Sequence, residues 1–231
     1  YAVILAGGIG SRMRSDGFPK QYVEIQGKPV LVYTLECFEA CADVDKIVVV
    51  SHCQWKEKIV EWGKQFVISK LSCIAQQGET RQESVLNGLL ACENMNPGKD
   101  DVVLIHDAAR PLITTELISR CVDESKRHDA CLPVISAKDT IYYSVDGISV
   151  SGLTDRATLF CGQSPECFNL LRYLRINKKT PKEKLQQVRG CCELAFQAGF
   201  DIGMIPGDEM NFKLTTQEDM DKLRAILAAK K

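Results

Sequence analysis

Short apolar runs alternate along most of the chain with longer segments in which apolar residues recur at helical spacing. The short runs are rich in β-branched residues, which is typical of strands that are covered on both faces. The pattern predicts strands at residues 1–5, 46–51, 72–75, 101–105 and 131–135, separated by helices at residues 29–40, 54–64, 81–92 and 115–127. This alternation predicts an α/β fold, with a mostly parallel sheet and helices on both of its faces.

The alternation is interrupted between residues 136 and 162, where the helical periodicity disappears. Two runs with strand character there flank Asp146 and Gly147, a pair that favours the tight turn of a β-hairpin. A hairpin that leaves an α/β domain has to cover its apolar face. We therefore predict that residues 136–161 form an arm that packs against a second copy of the chain.

The last part of the chain returns to regular elements. Residues 181–199 predict a helix and residues 202–205 a strand. Thr216 and Asp219 predict the start of a terminal helix, through an N-cap and a first-turn carboxylate. We expect residues 1–231 to form a single domain, in which the arm is the one candidate subdomain.

The first predicted strand runs directly into a turn with three glycines within four positions, which is followed by basic side chains. The glycines are Gly7, Gly8 and Gly10, and the basic residues are Arg12, Arg14 and Lys20. Glycine allows backbone N–H groups to approach a phosphate closely. Met13 stands where a dinucleotide-binding fingerprint has its third glycine, and the Gly-Lys-Ser/Thr of a P-loop is absent. The turn predicts an anion site of another kind; the alternative is an ordinary turn with a solvated basic face.

Composition narrows the possible partners. The chain has 231 residues, of which 45% are hydrophobic and 26% charged, as in soluble globular proteins. A net charge of −1 argues against a nucleic-acid partner, because duplex binders normally present a broad basic surface. No apolar run approaches the roughly 20 residues that a membrane-spanning helix needs, so no membrane association is expected.

The chain has 11 cysteines, without a Cys-x-x-Cys pair and without a signal-peptide pattern. An odd number of cysteines without paired spacing fits reduced thiols, so we expect a cytoplasmic protein. Cys37 lies one helical turn before Cys41, and Cys191 is adjacent to Cys192, but zinc sites usually show tighter, paired spacing. We expect buried thiols at these positions and no metal bound by them.

Three further polar clusters follow predicted strands, where a parallel sheet binds its ligands. They are residues 78–84 with Gly78, Arg81 and Ser84, residues 106–111 with His106, Asp107 and Arg110, and residues 211–216 with Asn211 and Lys213. Each has a structural alternative, in which Asp107 and Arg110 form an ion pair, His106 is a core histidine and Asn211 forms a turn. Their common position after strands favours a binding site.

The available side chains exclude several enzyme classes, because the Gly-x-Ser-x-Gly, His-Glu-x-x-His and Cys-His patterns are absent. Backbone N–H groups together with Arg12, Lys20 and Lys213 suit the transfer of a nucleotidyl group to an acceptor that is already an anion. A phosphate monoester needs no general base, so the protein has only to align two anions and to neutralise the transition state. Magnesium is expected on the nucleotide phosphates.

Taken together, these segments resemble the polyol-phosphate cytidylyltransferases, in the right order and over nearly the whole chain. The segments are residues 5–13 (Leu-Ala-Gly-Gly-x-Gly-x-Arg-Met), 19–21, 78–84, 106–111, 139–140, 156, 163–165 and 211–216. The family includes a methylerythritol-phosphate enzyme of isoprenoid synthesis and a ribitol-phosphate enzyme of teichoic-acid and capsule synthesis. The resemblance implies a Rossmann-like nucleotidyltransferase fold with a protruding β-hairpin arm, through which the family dimerises.

The resemblance also implies roles for individual residues. CTP would be bound by the two glycine turns, through Leu5, Ala6, Gly7, Gly8, Gly78, Arg81 and Ser84. Arg12 and Lys20 would stabilise the transition state at the α-phosphate. The acceptor phosphate would be positioned by Lys213 and by Arg156 of the partner subunit, with Asp107, Arg110 and Thr140 near the polyol.

The resemblance leaves two acceptors open. Residues 84–89 and 106–111 resemble the isoprenoid enzyme, whereas residues 1–2, 55, 111–114, 139–141 and 162–165 resemble the ribitol enzyme. Arg189 and Gly190 depart from both, since they stand where both usually have Thr-Asp, close to the acceptor. We expect D-ribitol 5-phosphate as the acceptor, with 2-C-methyl-D-erythritol 4-phosphate as the alternative. A sugar-phosphate nucleotidyltransferase for another base and an inactive nucleotide-binding protein of the same fold also stay open.

Overall fold

The computed structural model describes residues 1–8 and 18–229. Its helices are α1 (Val30–Ala40), α2 (Lys56–Gln65), α3 (Arg81–Glu93), α4 (Thr115–Glu124), α5 (Leu170–Lys179), α6 (Lys182–Leu185), α7 (Cys191–Gln197) and α8 (Gln217–Ala229). Its strands are β1 (Ala2–Leu5), β2 (Glu24–Ile25), β3 (Lys28–Pro29), β4 (Ile47–Ser51), β5 (Leu71–Gln76), β6 (Val102–Asp107), β7 (Ala130–Ser136), β8 (Tyr142–Tyr143), β9 (Gly152–Leu153), β10 (Phe160–Gly162), β11 (Glu166–Asn169) and β12 (Ile202–Pro206).

The central sheet is eight-stranded and mostly parallel, as the sequence pattern predicts. From one edge its order is β5, β4, β1, β6, β11 and β7, with β12 and β10 both paired to β7. Strand β11 runs antiparallel between β6 and β7, and β10 is also antiparallel to β7. The carboxyl ends of β1, β4, β5 and β6 therefore lie at one edge of the sheet, which is where such folds bind ligands.

Helices cover both faces of the sheet, and alternate residues of β1 show how. Ala2 and Ile4 belong to a buried cluster with side chains of α1, α2 and α4, whereas Val3 packs in a second cluster with α3, α5 and α7. All five residues of β4 are buried, which explains why this strand reads as an unbroken apolar run. Helix α8 closes a smaller third cluster around Leu223.

Side-chain caps fix the starts of two predicted helices. Thr114 caps α4 by accepting a hydrogen bond from the N–H of Leu117 at 3.2 Å. Before α8, the Asp219 carboxylate accepts the N–H groups of Thr215 and Thr216 at 2.6 and 2.8 Å, and the Thr216 hydroxyl accepts the N–H of Asp219. Both N-termini are thus confirmed, and α8 begins with the reciprocal capping arrangement.

The prediction of one continuous helix over residues 181–199 is wrong. Two short helices, α6 and α7, occupy this stretch, and Gly190 is the extended N-cap of the second one. Residues 163–180, for which the pattern predicts no element, contain β11 and α5. Helix α5 is capped by Asn169, whose side-chain oxygen accepts the N–H of Arg172 at 3.0 Å.

The hairpin is present, although its turn differs from the prediction. Strands β7 and β10 form its base within the central sheet, and β8 and β9 pair further out, with Tyr142 opposite Leu153. The connection over residues 144–151 is a longer loop, in which the Asp146 carboxylate accepts the N–H groups of Ile148 and Ser149 at 2.9 Å. The two-residue Asp-Gly turn is therefore wrong, because Asp146 organises a wider loop through its side chain.

Within residues 1–8 and 18–229, no helix combines the length and apolar character that a membrane span requires. The cysteines are free thiols, and Cys41 and Cys191 are buried whereas Cys37 and Cys192 are half-buried.

Val67 has a strained backbone at the end of α2. Its φ of 55° lies in the left-handed region, and its side chain is 75% exposed. The N–H of Ile68 bonds back to the carbonyl of Gly63 at 2.8 Å, which is the closing bond of a helix C-terminus that usually has glycine at the left-handed position. A β-branched side chain here gains little burial and strains the backbone.

We therefore expect Val67→Gly to raise the free energy of unfolding by about 1 kcal/mol, since relief of left-handed strain exceeds the added chain entropy. Val60→Gly is the matched control, because Val60 lies inside α2, where glycine should lower stability. Urea unfolding of the two variants and the wild type measures both effects. A lower stability for Val67→Gly would contradict the argument.

Candidate active site

A pocket of about 400 Å³ opens at the carboxyl edge of the central sheet. It lies beyond the ends of β1, β5 and β6 and reaches the loop before α8. Most of the predicted site residues line it: Leu5, Gly7, Gly8, Lys20, Gly78, Arg81, Ser84, Asp107 and Lys213. These residues come from four distant parts of the sequence, and the sheet brings them together.

The first glycine turn follows β1 directly and forms one wall of the pocket. The N–H of Ala6 continues the β1–β4 ladder by bonding to the carbonyl of Val50 at 2.8 Å, and Ala6 itself is buried beneath the turn. A Cβ on Gly7 would collide with the side chain of Gln77, so glycine is required there by the close approach of a second pocket wall. Arg12 lies outside the described residues.

The second glycine turn leads from β5 into α3. Thr80 caps this helix by accepting the N–H of Glu83 at 3.2 Å. The Ser84 hydroxyl donates to the carbonyl of Thr80 at 2.9 Å and accepts the N–H of Gly78 at 3.0 Å, which fixes the turn from inside. The start of a thirteen-residue helix thus faces the pocket, where its unpaired N–H groups favour an anion.

Asp107, at the end of β6, holds the cations of the pocket together. Its carboxylate lies 2.8 Å from the Lys213 ammonium, 3.6 Å from the guanidinium of Arg81 and 3.8 Å from that of Arg110. Burial alone would raise the pKa of Asp107. The three nearby positive charges outweigh that effect and hold its pKa well below the usual range. Asp107 is therefore an anion at any physiological pH.

Glu166 lies behind the pocket wall, in contact with Arg81, and is a residue that the sequence analysis does not identify. One carboxylate oxygen lies 3.1 Å from the Arg81 guanidinium, and the other accepts the N–H of Cys192 at 2.7 Å. Arg81 also donates to the sulfur of Cys191 at 3.1 Å. Burial raises the pKa of the Cys191 thiol to about 12, so this sulfur accepts as a neutral group. Arg81 is the one signal in the sequence that points to such a residue, because a partly buried guanidinium needs more than one hydrogen-bond acceptor.

The structural alternatives for two residues are correct. His106 is fully buried between the Ser164 hydroxyl, 3.0 Å from Nδ1, and the carbonyl of Arg110, 3.2 Å from Nε2. Burial lowers the pKa of His106 to about 4, so the imidazole is neutral. Asn211 closes a turn, in which its N–H donates to the carbonyl of Asp208 at 2.9 Å, and its buried side chain donates to the carbonyl of Ser164 at 2.8 Å. Both side chains support the polypeptide behind the pocket.

Arg110 joins these supports to the charged groups, because its guanidinium donates to the carbonyl of Asn211 at 2.6 Å. It lies behind Asp107 and does not line the pocket.

Two further predicted site residues are not brought into this pocket by their own chain. Thr140 and Arg156 lie on the arm and are exposed. The Arg156 guanidinium donates to the carbonyl of Lys138 at 2.7 Å, within the arm. The assignment of Arg156 to the site of another subunit stays a prediction.

The described residues include no group of three or more His, Cys, Asp or Glu side chains that could hold a metal ion. What the pocket offers is backbone N–H groups and cations beside a small number of carboxylates. Such a site is suited to binding phosphate groups and to stabilising charge that develops on them.

Comparison with known proteins identifies the family. The family model described as 2-C-methyl-D-erythritol 4-phosphate cytidylyltransferase matches residues 1–229. The chain belongs to this cytidylyltransferase family. The predicted nucleotidyltransferase identity is thereby confirmed, and the pocket is the candidate active site of a cytidylyltransferase.

Individual relatives carry two different names. A ribitol-5-phosphate cytidylyltransferase of Vibrio parahaemolyticus is 33% identical over 98% of this chain and 94% of its own length. A 2-C-methyl-D-erythritol 4-phosphate cytidylyltransferase of Rubrobacter xylanophilus is 37% identical over 99% of this chain and 95% of its own length. The crystal structure of 4-diphosphocytidyl-2C-methyl-D-erythritol synthase from Anaerococcus prevotii matches 98% of this chain and 95% of that chain, with a TM-score of 0.81 and 23% identity. The α/β nucleotidyltransferase fold is confirmed.

The charge cluster of this cytidylyltransferase should contribute to its stability. A carboxyl group whose pKa is lowered by folding stabilises the folded state above its unfolded pKa of about 3.9, and that stabilisation is lost as the pH falls toward the folded pKa. We expect Asp107→Asn to lower the free energy of unfolding by about 2 kcal/mol at pH 7, because three cations lose their shared anion. The difference from wild type should shrink below about pH 4.

Urea unfolding at several pH values measures this difference. Asp100→Asn is the matched control, because Asp100 is 87% exposed and lies 3.9 Å from Lys99, a geometry that contributes little. A deficit for Asp107→Asn that is the same at acid and neutral pH would show that its charge is not the cause.

Proposed function

We propose that this protein transfers the cytidylyl group of CTP to a polyol phosphate, with D-ribitol 5-phosphate as the favoured acceptor, and releases pyrophosphate. The observation that carries the proposal is the pocket in which two glycine turns face Lys20 and Lys213 at the carboxyl edge of the sheet. The first turn and the start of α3 would bind the nucleotide, through Leu5, Ala6, Gly7, Gly8, Gly78, Arg81 and Ser84. The ammonium groups of Lys20 and Lys213 would bind the phosphates.

The reaction requires little proton transfer by side chains of the protein. An oxygen of the acceptor phosphate attacks the α-phosphorus of CTP, a new P–O bond forms, and the bond to the β-phosphate oxygen breaks as pyrophosphate leaves. The attacking group is already ionised and needs no general base. The reaction therefore does not require the buried, neutral His106 to accept a proton. Arg12 and Lys20 would neutralise the charge that develops at the α-phosphorus.

The acceptor phosphate is assigned to Lys213 and to Arg156 of the partner subunit, with Asp107, Arg110 and Thr140 near the polyol. Lys213 already lies in contact with Asp107 at 2.8 Å, which holds its ammonium at the pocket wall. Magnesium is proposed to enter as a complex with CTP, because this hard cation binds phosphate oxygens and partly neutralises them.

The acceptor itself is proposed from the sequence. Residues 111–114, 139–141 and 162–165 resemble the ribitol enzyme, and several relatives carry that name at 31–33% identity. The alternative acceptor is 2-C-methyl-D-erythritol 4-phosphate, which the name of the 37% identical relative specifies. Biosynthesis of teichoic acid or capsule follows from the first acceptor and isoprenoid synthesis from the second. In both cases we propose a cytoplasmic enzyme.

The arm is proposed to join two subunits. Its tip exposes large apolar side chains that a single chain leaves uncovered: Tyr142, Tyr143, Val145, Ile148, Val150 and Leu153. Ile148, for example, is 93% exposed. An exposed group of this many large apolar side chains is unusual in an isolated soluble chain. A homodimer with residues 136–161 at its interface would cover them and would carry Arg156 to the second pocket.

Turnover with the two acceptors is the decisive measurement. We expect pyrophosphate release from CTP, magnesium and D-ribitol 5-phosphate, with a lower kcat/KM for 2-C-methyl-D-erythritol 4-phosphate. Lys20→Ala should reduce kcat far more than the affinity for CTP, because this charge acts on the transition state. Release with the second acceptor alone would establish the alternative. Binding of CTP without turnover on either acceptor would instead favour an inactive nucleotide-binding protein.

A shared active site can be tested by complementation. Arg156→Ala and Lys213→Ala should each be nearly inactive as homodimers. When the two are co-expressed, half of the dimers are mixed, and each mixed dimer has one site with both native residues. We therefore expect recovery of about a quarter of the wild-type activity. Activity no greater than that of the separate variants would contradict a site built from two subunits.

A further inference from the structure

Gln21 makes an unusual pair of contacts with the first glycine turn. Its side chain is 3% exposed, and its single carboxamide nitrogen donates to the carbonyl of Ala6 at 2.6 Å and to that of Gly8 at 2.9 Å. A carboxamide has two N–H groups, so both bonds are made by one rigid planar unit. The two carbonyls on either side of Gly7 are thus fixed by the same side chain.

The neighbouring residue strengthens this attachment. The Tyr22 hydroxyl donates to the carbonyl of Ala6 at 2.9 Å, which gives that oxygen two donors. The Tyr22 ring is buried and stacks on Trp55, with ring centroids 4.1 Å apart, and it lies near Trp62. The support is therefore tied to α2 and does not depend on the pocket.

The same short segment carries a proposed catalytic charge. Lys20, Gln21 and Tyr22 form a single 3₁₀ turn, and both Lys20 and Gln21 line the pocket. Through the side chain of Gln21 the backbone of this turn is coupled to the backbone of the glycine turn. The position of the Lys20 backbone relative to the glycine turn therefore depends on the contacts of Gln21.

These contacts have a direct consequence for anion binding. In a trans peptide the N–H points opposite to the preceding carbonyl, so a fixed Ala6 carbonyl also fixes the N–H of Gly7, which points away from Gln21. A carbonyl oxygen that rotated toward the pocket would repel a phosphate and would remove that donor. The anion site depends on the orientation of two peptide groups, which glycine by itself leaves free.

We propose that Gln21 is a positioning residue, whose carboxamide holds the glycine turn and the Lys20 turn in the arrangement that the triphosphate of CTP requires. This inference rests on the proposed cytidylyl transfer. It assigns Gln21 no contact with the reacting atoms, and it predicts that the two donated hydrogen bonds, more than the bulk of the side chain, determine the rate.

Two variants separate donation from packing. Gln21→Met keeps the length of the side chain and removes both donors. Gln21→Glu keeps the shape and also removes both donors while it is ionised, but a protonated carboxyl group regains one O–H donor. The matched control is Tyr33→Phe, which deletes a Tyr hydroxyl that donates to the backbone carbonyl of Ile25 at 2.8 Å, away from the pocket.

Steady-state kinetics of pyrophosphate release, with thermal unfolding of each variant, provide the test. We expect kcat to fall about 10- to 100-fold for both Gln21 variants at pH 8, with little change in the KM of the acceptor, because misplaced donors act on the triphosphate. Tyr33→Phe should keep the wild-type kcat. As the pH falls toward 6, Gln21→Glu should recover relative to wild type, whereas Gln21→Met should not.

The outcomes distinguish this inference from the proposed function. If the wild type releases no pyrophosphate with either acceptor, the proposed function fails. If the wild type is active and the Gln21 variants match Tyr33→Phe, the positioning role is wrong. If Gln21→Met keeps the wild-type kcat and only Gln21→Glu loses activity, the loss comes from the introduced charge, and the role proposed for the hydrogen bonds is also overturned.

Discussion

The pocket depends on the charge balance around Asp107. This carboxylate meets Lys213, Arg81 and Arg110, which come from three different segments, and Glu166 provides Arg81 with a second carboxylate. Because the cluster contains three cations and two carboxylates, its net charge is positive even without Lys20. The protein can thus keep several positive charges close together in the absence of a ligand and still present a net attraction to phosphate groups.

The register of the sheet explains why these segments meet. Leu5 of β1 is paired with Val50 of β4 on one side and with Asp107 of β6 on the other, so the glycine turn and Asp107 leave the sheet at the same level. Strand β11 is antiparallel to β6, and Glu166 therefore begins its strand where β6 ends. Changing the register by one residue would send Asp107 to the opposite face of the sheet, away from its cations.

Much of this arrangement could be predicted from the sequence, for identifiable physical reasons. The strands that form the pocket edge are short and apolar, and the polar clusters that follow them are close in sequence to the strand ends. Glu166 could not be found in this way, because it starts an antiparallel strand that breaks the β-α alternation. The division of residues 182–197 into two helices could not be predicted for a related reason. The apolar pattern there is helical throughout, but the extended backbone of Gly190 interrupts the helix.

The relation between Gly190 and Glu166 bears on the departure from the family at Arg189 and Gly190. A Cβ at position 190 would lie 3.8 Å from a carboxylate oxygen of Glu166, which is ordinary contact, so packing alone does not demand glycine there. An aspartate at that position would, however, bring a second carboxylate against Glu166, which already accepts the N–H of Cys192. Two like charges so close would repel strongly. Gly190 and Glu166 are therefore mutually compatible, and Glu166 supplies a negative charge beside Arg81.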